Sequence, residues 1–279
     1  MAEKVFDQVF RTRGMTSLLY ALCWIAALFL HPWFFLAVMA LALFACTREF
    51  ERMLALPQHG TPNMSTWLNY IFAGILLFEY LSGTEFINSI LYILMALSLV
   101  LGLYFLIFSK GVGVLGSLKS FRLLYPGMGI LATALITFPG GSITGFTPLN
   151  LMSLLVLIWA NDSYAYMAGR AWGKHPLWAS VSPKKTWEGT IGGAVGTLFT
   201  AWLWTLLFSS PDIGDMLVAA LVVSIFGPLG DLFESKVKRA AGVKDSGNWL
   251  PGHGGLLDRF DSLLWVAPAQ WLISGIIFP

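Results

Sequence analysis

Long apolar stretches alternate with short polar loops along most of this 279-residue chain. A helix needs about 20 mostly apolar residues to cross a hydrocarbon layer about 30 Å thick, and most of the stretches approach that length. They predict an all-α fold with about nine transmembrane helices, of which the second and third are short enough to be tilted or re-entrant. The stretches cover residues 15–30, 34–46, 67–81, 86–108, 123–138, 148–168, 191–208, 216–233 and 262–278.

Composition and charge distribution agree with a polytopic integral membrane protein. Hydrophobic residues make up 57% of the chain and charged residues only 11%, which is too little charge for the surface of a soluble domain. All 17 Lys and Arg residues fall on the N-terminal segment and on alternate loops. Because cytoplasmic loops are rich in Lys and Arg, we expect the N-terminus in the cytoplasm and the C-terminus on the opposite face. The expected location is a bacterial plasma (inner) membrane.

The two halves of the chain differ in how much chemistry they carry. Residues 1–150, about five spans, contain no recognisable motif and are expected to be scaffold. Arg48, Glu49, Glu51 and Arg52 are expected only to end the second span at the inner face. Residues 151–279, about four spans, are expected to form the catalytic region.

Charged residues concentrate between residues 231 and 261. Asp231, Ser235 and Lys238 are spaced i, i+4 and i+7, so they share one face of a helix. After a glycine-rich turn, Asp258 and Asp261 are spaced i, i+3 and are expected on one face of the next helix. Carboxylates brought together in this way repel one another, and a hard cation such as Mg²⁺ would offset the repulsion. The alternative is a basic cytoplasmic loop whose acids only neutralise it.

The sixth apolar stretch contains Asn161 and Asp162, and a charge at that depth is costly unless it faces protein or water. Ala165, Gly169 and Gly173 recur every four residues and predict a face to which another helix packs closely. Asp162 is therefore expected in a packed polar cleft, although a structural hydrogen bond to a neighbouring helix would also explain it.

A short basic motif, SPKKT, follows the sixth stretch. We expect Ser182 to cap a helix, Pro183 to occupy its first position, and Lys184 and Lys185 to lie in its opening turn. Lysines beside the free N–H groups of a helix N-terminus suit a phosphate group. A solvated loop with no ligand is the other interpretation.

From about Asn161 to Asp261 these motifs resemble the phosphatidate cytidylyltransferase (CDP-diacylglycerol synthase) family. The shared features are an acid at Asp162, then AY, GK, SPKKT and EG, and a final signature with SKVKR, KD, PGHGG and DRFD. The resemblance implies a Mg²⁺-dependent nucleotidyltransferase of phospholipid biosynthesis. Such an enzyme converts CTP and phosphatidate into CDP-diacylglycerol and pyrophosphate in a cavity open to the cytoplasm.

The resemblance also assigns roles to residues. The predicted catalytic residues are Asp231, Ser235, Lys238 and Asp258. The predicted substrate-binding residues are Asp162, Ser182, Lys184, Lys185, Arg239, Lys244 and His253. Mg²⁺ is expected on Asp231, Asp258 and Asp261, with a second cation as a further expectation. For His253, contact with a phosphate and stabilisation of the glycine turn both stay open.

The expected partners are CTP, phosphatidate and the lipid bilayer, with a homodimer as a further expectation and no nucleic acid. A transporter or ion pathway is the rival class, because an acid within a span and a charged inner vestibule also suit coupled transport. A lipid kinase, or a cytidylyltransferase acting on another lipid phosphate, is a nearer rival.

Overall fold

The computed structural model describes residues 19–54, 64–83, 85–109, 124–249 and 254–277, and these ranges are nearly all helical. A single two-stranded hairpin is the only sheet within them. In chain order the elements are α1 (Leu19–Leu30), α2 (Pro32–Met53), α3 (Met64–Leu81), α4 (Glu85–Phe108), α5 (Gly127–Ile136), a 3₁₀ turn (Ile143–Gly145), α6 (Pro148–Trp172), β1 (Pro176–Trp178), β2 (Ser182–Thr186), α7 (Trp187–Leu207), α8 (Ile213–Ala240), α9 (Leu257–Phe260) and α10 (Leu263–Ile277).

Five of the described helical segments are long and apolar enough to cross a membrane. They are α2, the Phe86–Phe108 part of α4, α7, α8, and the stretch Leu257–Ile277 that contains α9 and α10. Shorter apolar helices occur at α1, in α3 and at α5. Each predicted apolar stretch overlaps a helix, so the membrane-protein class and the nearly all-α fold are confirmed. The number of nine crossings stays a prediction.

The outer surfaces of the long helices are apolar. Ile93, Val100 and Ile107 follow one another at intervals of seven residues on α4, and all three are exposed. Ile191 and Val195 are exposed in the same way on α7. A continuous apolar surface of this kind is unusual against water and is expected against lipid tails.

An aromatic cluster fixes α8 in the middle of the bundle. The ring of Phe233 lies 5.4 Å from that of Phe105 on α4, 4.9 Å from Tyr125 and 5.5 Å from Trp265 on α10, measured between centroids. Aromatic pairs at these separations add to the free energy gained by burial. Asp231 precedes Phe233 by two residues and so projects to about the opposite side of α8. Anchoring Phe233 in the core therefore turns Asp231 toward α6 and β2.

Helices α6 and α7 pack closely through small residues, as the spacing of Ala165 and Gly169 predicts. A Cβ atom at Gly189 of α7 would lie 2.8 Å from the carbonyl oxygen of Ala165 and 3.3 Å from the Cα atom of Gly169. Only a residue without a side chain fits at such a crossing. The close contact holds Asp162, on α6, beside the start of α7.

The SPKKT motif does not begin a helix, so that prediction is wrong. Ser182–Thr186 is a strand that pairs antiparallel with Pro176–Trp178, and the helix begins at Trp187. Thr186 is the N-cap, and its hydroxyl accepts a hydrogen bond of 3.1 Å from the Gly189 N–H. A threonine cap supplies the same oxygen as a serine cap, and the preceding hairpin gives the backbone of the motif other partners.

Candidate active site

A cavity of about 390 Å³ with several charged residues in its lining lies between α6, β2, α7 and α8. Asn161 and Asp162 line it from α6, Lys184 and Lys185 from β2, and Asp231 from α8. The SPKKT motif, the acid of the sixth stretch and the acid just before the C-terminal signature thus line one cavity. This is the grouping that the motifs predict, although the lysines reach it from a strand.

The centre of the cavity is an ion pair between Lys185 and Asp231. The Lys185 Nζ lies 2.5 Å from Asp231 Oδ2, and both side chains are about 30% exposed. The Ser235 hydroxyl donates a hydrogen bond of 3.2 Å to Asp231 Oδ1. Asp231 and Ser235 therefore do share one face of α8, as their i, i+4 spacing predicts. Lys185 is held within reach of solvent, where it could meet an anion.

Two more carboxylates lie near this ion pair. Asp162 and Asp261 both interact electrostatically with Asp231 and with Lys185. Asp261 comes close because Gly230 has no side chain: a Cβ atom there would lie 2.5 Å from the Asp261 carbonyl oxygen. The three carboxylates place several oxygen atoms around one ammonium group. Carboxylate oxygens are the ligands that a hard divalent cation prefers.

The predicted metal set of Asp231, Asp258 and Asp261 is not brought together as a compact group. Among the residues that the structure describes, no three His, Cys, Asp or Glu side chains are arranged to hold a metal ion. Asp258 has other partners: its Oδ1 pairs with Lys238 Nζ at 2.6 Å, and its Oδ2 accepts from the Gly255 N–H at 2.8 Å and the Ser246 N–H at 2.9 Å. Its role as a metal ligand stays a prediction.

The expectation that Asp258 and Asp261 lie on one face of one helix is wrong. Helix α9 ends at Phe260 and α10 begins at Leu263, so Asp261 lies in the turn between them. The Ser262 N–H donates to Asp261 Oδ1 at 2.7 Å. The break sends the two carboxylates to different neighbours, Asp258 to Lys238 and Asp261 toward Asp231.

Lys238 forms a second, more buried ionic group. Its Nζ lies 2.6 Å from Asp258 and 2.8 Å from Glu234, and the Glu234 side chain is 1% exposed. Two acids therefore share one lysine in the protein interior. Removing Lys238 would leave both acids buried without a cation, which is strongly destabilising. Lys238 is thus used to hold α8 against the segment before α10.

The other described residues that were predicted to bind substrate, Ser182, Arg239 and Lys244, lie outside the cavity. Arg239 is exposed, and its Nη1 donates a long bond of 3.5 Å to the Val243 carbonyl. Lys244 is exposed, and Ser182 lies at the start of β2. None of these three lines the cavity. His253 lies outside the described residues.

Reasoning from sequence gives no role in this region to three residues that shape it: Glu49, Glu234 and Ser246. Glu234 could have been found, because it is four residues before Lys238 on the same helix. Glu49 could not, because its partners are about 200 residues further along the chain. The EG motif also has a local role: Glu188 accepts from the Lys174 and His175 N–H groups at 3.2 Å each and ties that loop to the start of α7.

A larger cavity of about 560 Å³ lies at the other end of the bundle. Its lining includes Asp215, which is 16 residues before Asp231 on α8 and so about 24 Å away along the helix axis. No Lys or Arg is among its described lining residues. It lacks the positive charge that a polyphosphate requires, so the smaller cavity is the better candidate for phosphate chemistry.

The fold and the smaller cavity together define a polytopic membrane protein suited to substrates that bear phosphate. Comparison with known proteins agrees: the sequence pattern of the cytidylyltransferase family matches residues 11–277, and the chain belongs to that family. It is 52% identical over 122 residues to a phosphatidate cytidylyltransferase of Bacillus subtilis (strain 168). This match covers 43% of this chain and 45% of the relative.

Two further relatives give the same result. A phosphatidate cytidylyltransferase of Staphylococcus haemolyticus (strain JCSC1435) is 46% identical over 119 residues, and one of Staphylococcus aureus (strain COL) is 47% identical over 120 residues. Each match covers 42% of this chain and 46% of the relative. The chain thus spans less than half the length of the curated relatives it matches.

Proposed function

We propose that this protein is a phosphatidate cytidylyltransferase, which makes CDP-diacylglycerol and pyrophosphate from CTP and phosphatidate. The observation that carries the proposal is the Lys185–Asp231 ion pair in a cavity formed by the motifs of the family. Membership of the cytidylyltransferase family and the names of the relatives supply the substrates.

The proposed reaction is a displacement at the α-phosphorus of CTP. A phosphate oxygen of phosphatidate forms a new bond to the α-phosphorus, and the bond from that phosphorus to the oxygen bridging to the β-phosphate breaks. Pyrophosphate leaves with that oxygen. The protein's share of such a reaction is positioning and stabilisation of charge, without a covalent intermediate.

The residues of the cavity have distinct proposed roles. Lys185, with Lys184 beside it, binds the phosphates of CTP and offsets the charge that develops on the leaving pyrophosphate. Ser235 holds the Asp231 carboxylate in place through its hydroxyl. Asp258 and Lys238 keep the segment before α10 against α8. Arg239, Lys244 and His253 stay predicted contacts for the outer phosphates.

The divalent cation is proposed on the carboxylates nearest to Lys185. Asp231 and Asp261 would hold Mg²⁺, with Asp162 as a third oxygen ligand, because these three acids interact electrostatically around one lysine. Binding the ion would draw the three carboxylates closer together than they lie in this structure. When bound, the ion would neutralise phosphate charge and align the α-phosphate for attack. Asp258 would join this set only by giving up the bonds to Lys238 and the backbone. A second cation stays a prediction.

The arrangement in the membrane is also a proposal. Because cytoplasmic loops are rich in Lys and Arg, the proposal has the Asp231 end of α8 at the cytoplasm, where CTP is available, and the Asp215 end on the opposite face. Phosphatidate would then enter sideways between helices from the inner leaflet. About nine crossings and a homodimer remain part of this proposal.

The test is direct transfer of label by the purified protein. With Mg²⁺ and phosphatidate, CTP labelled at the α-phosphate should give a labelled lipid, and CTP labelled at the γ-phosphate should give labelled pyrophosphate. Omitting phosphatidate or adding EDTA should stop both. A labelled lipid from the γ-phosphate would identify a kinase. No lipid product from either label would refute the proposal.

A further inference from the structure

One acid from the first half of the chain reaches into the C-terminal signature. Glu49, near the end of α2, is 3% exposed although it is ionisable. Its Oε1 accepts from the Leu256 N–H at 3.0 Å, and its Oε2 accepts from the Leu257 N–H at 2.8 Å. A buried carboxylate needs such donors, and here the backbone at the start of α9 supplies them.

Ser246 connects Glu49 to Asp258. The Ser246 hydroxyl lies 2.8 Å from Glu49 Oε2 and 3.0 Å from Asp258 Oδ2, and it can donate its one proton to only one of them at a time. Asp258 in turn pairs with Lys238. A continuous chain of polar contacts therefore runs from Glu49 on α2 through Ser246 and Asp258 to Lys238 on α8.

Glu49 also accounts for two glycines. A Cβ atom at Gly247 or at Gly255 would collide with the Glu49 carboxylate. Gly255 is the last residue of the PGHGG motif, and a Cβ atom there would meet the Ser246 hydroxyl as well as this carboxylate, which comes about 200 positions earlier in the sequence. The Glu49 carboxylate thus limits which residues fit at Gly247 and Gly255, although Glu49 is not part of the signature.

We propose that Glu49 is a positioning residue: it holds Ser246 and the segment Gly255–Leu257, and with them Asp258, in the arrangement needed to bind the nucleotide. The inference rests on the proposed function for its kinetic part only. Glu49 contacts two backbone N–H groups and one hydroxyl of the signature and does not line the cavity. It acts through the segment it holds.

The test is Glu49→Gln in the full-length protein. The change keeps the shape but directs an amide N–H₂ at a backbone N–H, so one hydrogen bond is replaced by a contact between two donors. Hydrogen exchange of peptides that include the Leu256 and Leu257 amides should become faster. The KM for CTP should rise about tenfold, the size expected for loss of a charged hydrogen bond. The KM for phosphatidate should change less.

Two further variants make the result specific. Glu51→Gln is the matched control: this acid is also buried on α2 but projects about 200° around the helix from Glu49. It should leave both the exchange near Leu256 and the KM for CTP unchanged. Ser246→Ala removes only the bridging hydroxyl and should give a smaller effect in the same direction. If Glu49→Gln does not fold, Ser246→Ala carries the test.

The outcomes separate this inference from the proposed function. Unchanged exchange at Leu256 and Leu257 in Glu49→Gln would overturn the positioning role even if the wild-type enzyme is active. Faster exchange with a lower kcat but an unchanged KM for CTP would show a purely structural contact and would also overturn it. Failure of the wild type to form a lipid product would refute the function, whereas the exchange result would still decide whether Glu49 holds the segment.

Discussion

Replacing Lys185 should separate the catalytic use of the cavity from its structural use. The gross attraction between Lys185 and Asp231 at 2.5 Å is about 1.7 kcal/mol at the dielectric constant of water and about 7 kcal/mol at an effective value of 20. Loss of water and of side-chain freedom offsets most of this for pairs that solvent reaches, which leaves a net of about 0–1 kcal/mol. Lys185→Ala should therefore lower the melting temperature by less than about 4 °C.

The effect on activity should be much larger. A cation aimed at charge that develops in the transition state contributes about 100- to 1,000-fold to the rate, so kcat/KM for CTP should fall by that factor. Lys185→Arg should keep part of the activity, because it keeps the charge but not the shape of the donor. The assays are thermal unfolding in detergent and initial rates of lipid product formation with varied CTP.

Two comparisons make this prediction refutable. Lys174→Ala is the control, because Lys174 is exposed in the neighbouring loop and does not line the cavity. It should be nearly as active as the wild type. If Lys185→Ala stays within about threefold of wild-type kcat/KM, the assignment of Lys185 to the substrate phosphates is wrong. If it unfolds instead, the pair is structural and the argument from solvent exposure fails.

Three further substitutions test other parts of the account. Lys238→Met leaves Glu234 and Asp258 without a cation and should cost about 3–5 kcal/mol of stability; a melting temperature close to that of the wild type would contradict this. Asp261→Asn should raise the Mg²⁺ concentration needed for half-maximal rate about tenfold, and an unchanged requirement would remove Asp261 from the proposed metal set. Gly189→Val should force α6 and α7 apart at a cost of about 1–3 kcal/mol, whereas Gly74→Ala, with open space at its Cβ position, should be tolerated.

The sequence predicts the helices well because their signal is local. Apolar stretches and their lengths follow from residues that are neighbours in the chain, and each predicted stretch overlaps a helix. The i, i+4 relation of Asp231 and Ser235 on α8 and the small-residue face of α6 are local in the same sense. Periodicity within one helix therefore located part of the cavity lining, namely Ala165, Gly169 and Asp231.

The errors arise where distant parts of the chain decide the local structure. Ser182 and Pro183 would suit a helix N-terminus, but pairing with Pro176–Trp178 makes them a strand. The break between α9 and α10 separates Asp258 from Asp261, and the regular spacing of the two acids does not reveal it. Glu49 was assigned only a topological role because its partners, Ser246 and Leu257, lie about 200 residues away. Contacts of that range cannot be inferred from periodicity.

The most direct test of the central claim is an experimental structure of the protein with a non-hydrolysable CTP analogue and Mn²⁺. The account predicts the triphosphate in the cavity between α6, β2 and α8, in contact with Lys185, with the anomalous signal of Mn²⁺ beside Asp231 and Asp261. A nucleotide bound elsewhere, or a metal ion distant from both carboxylates, would contradict it.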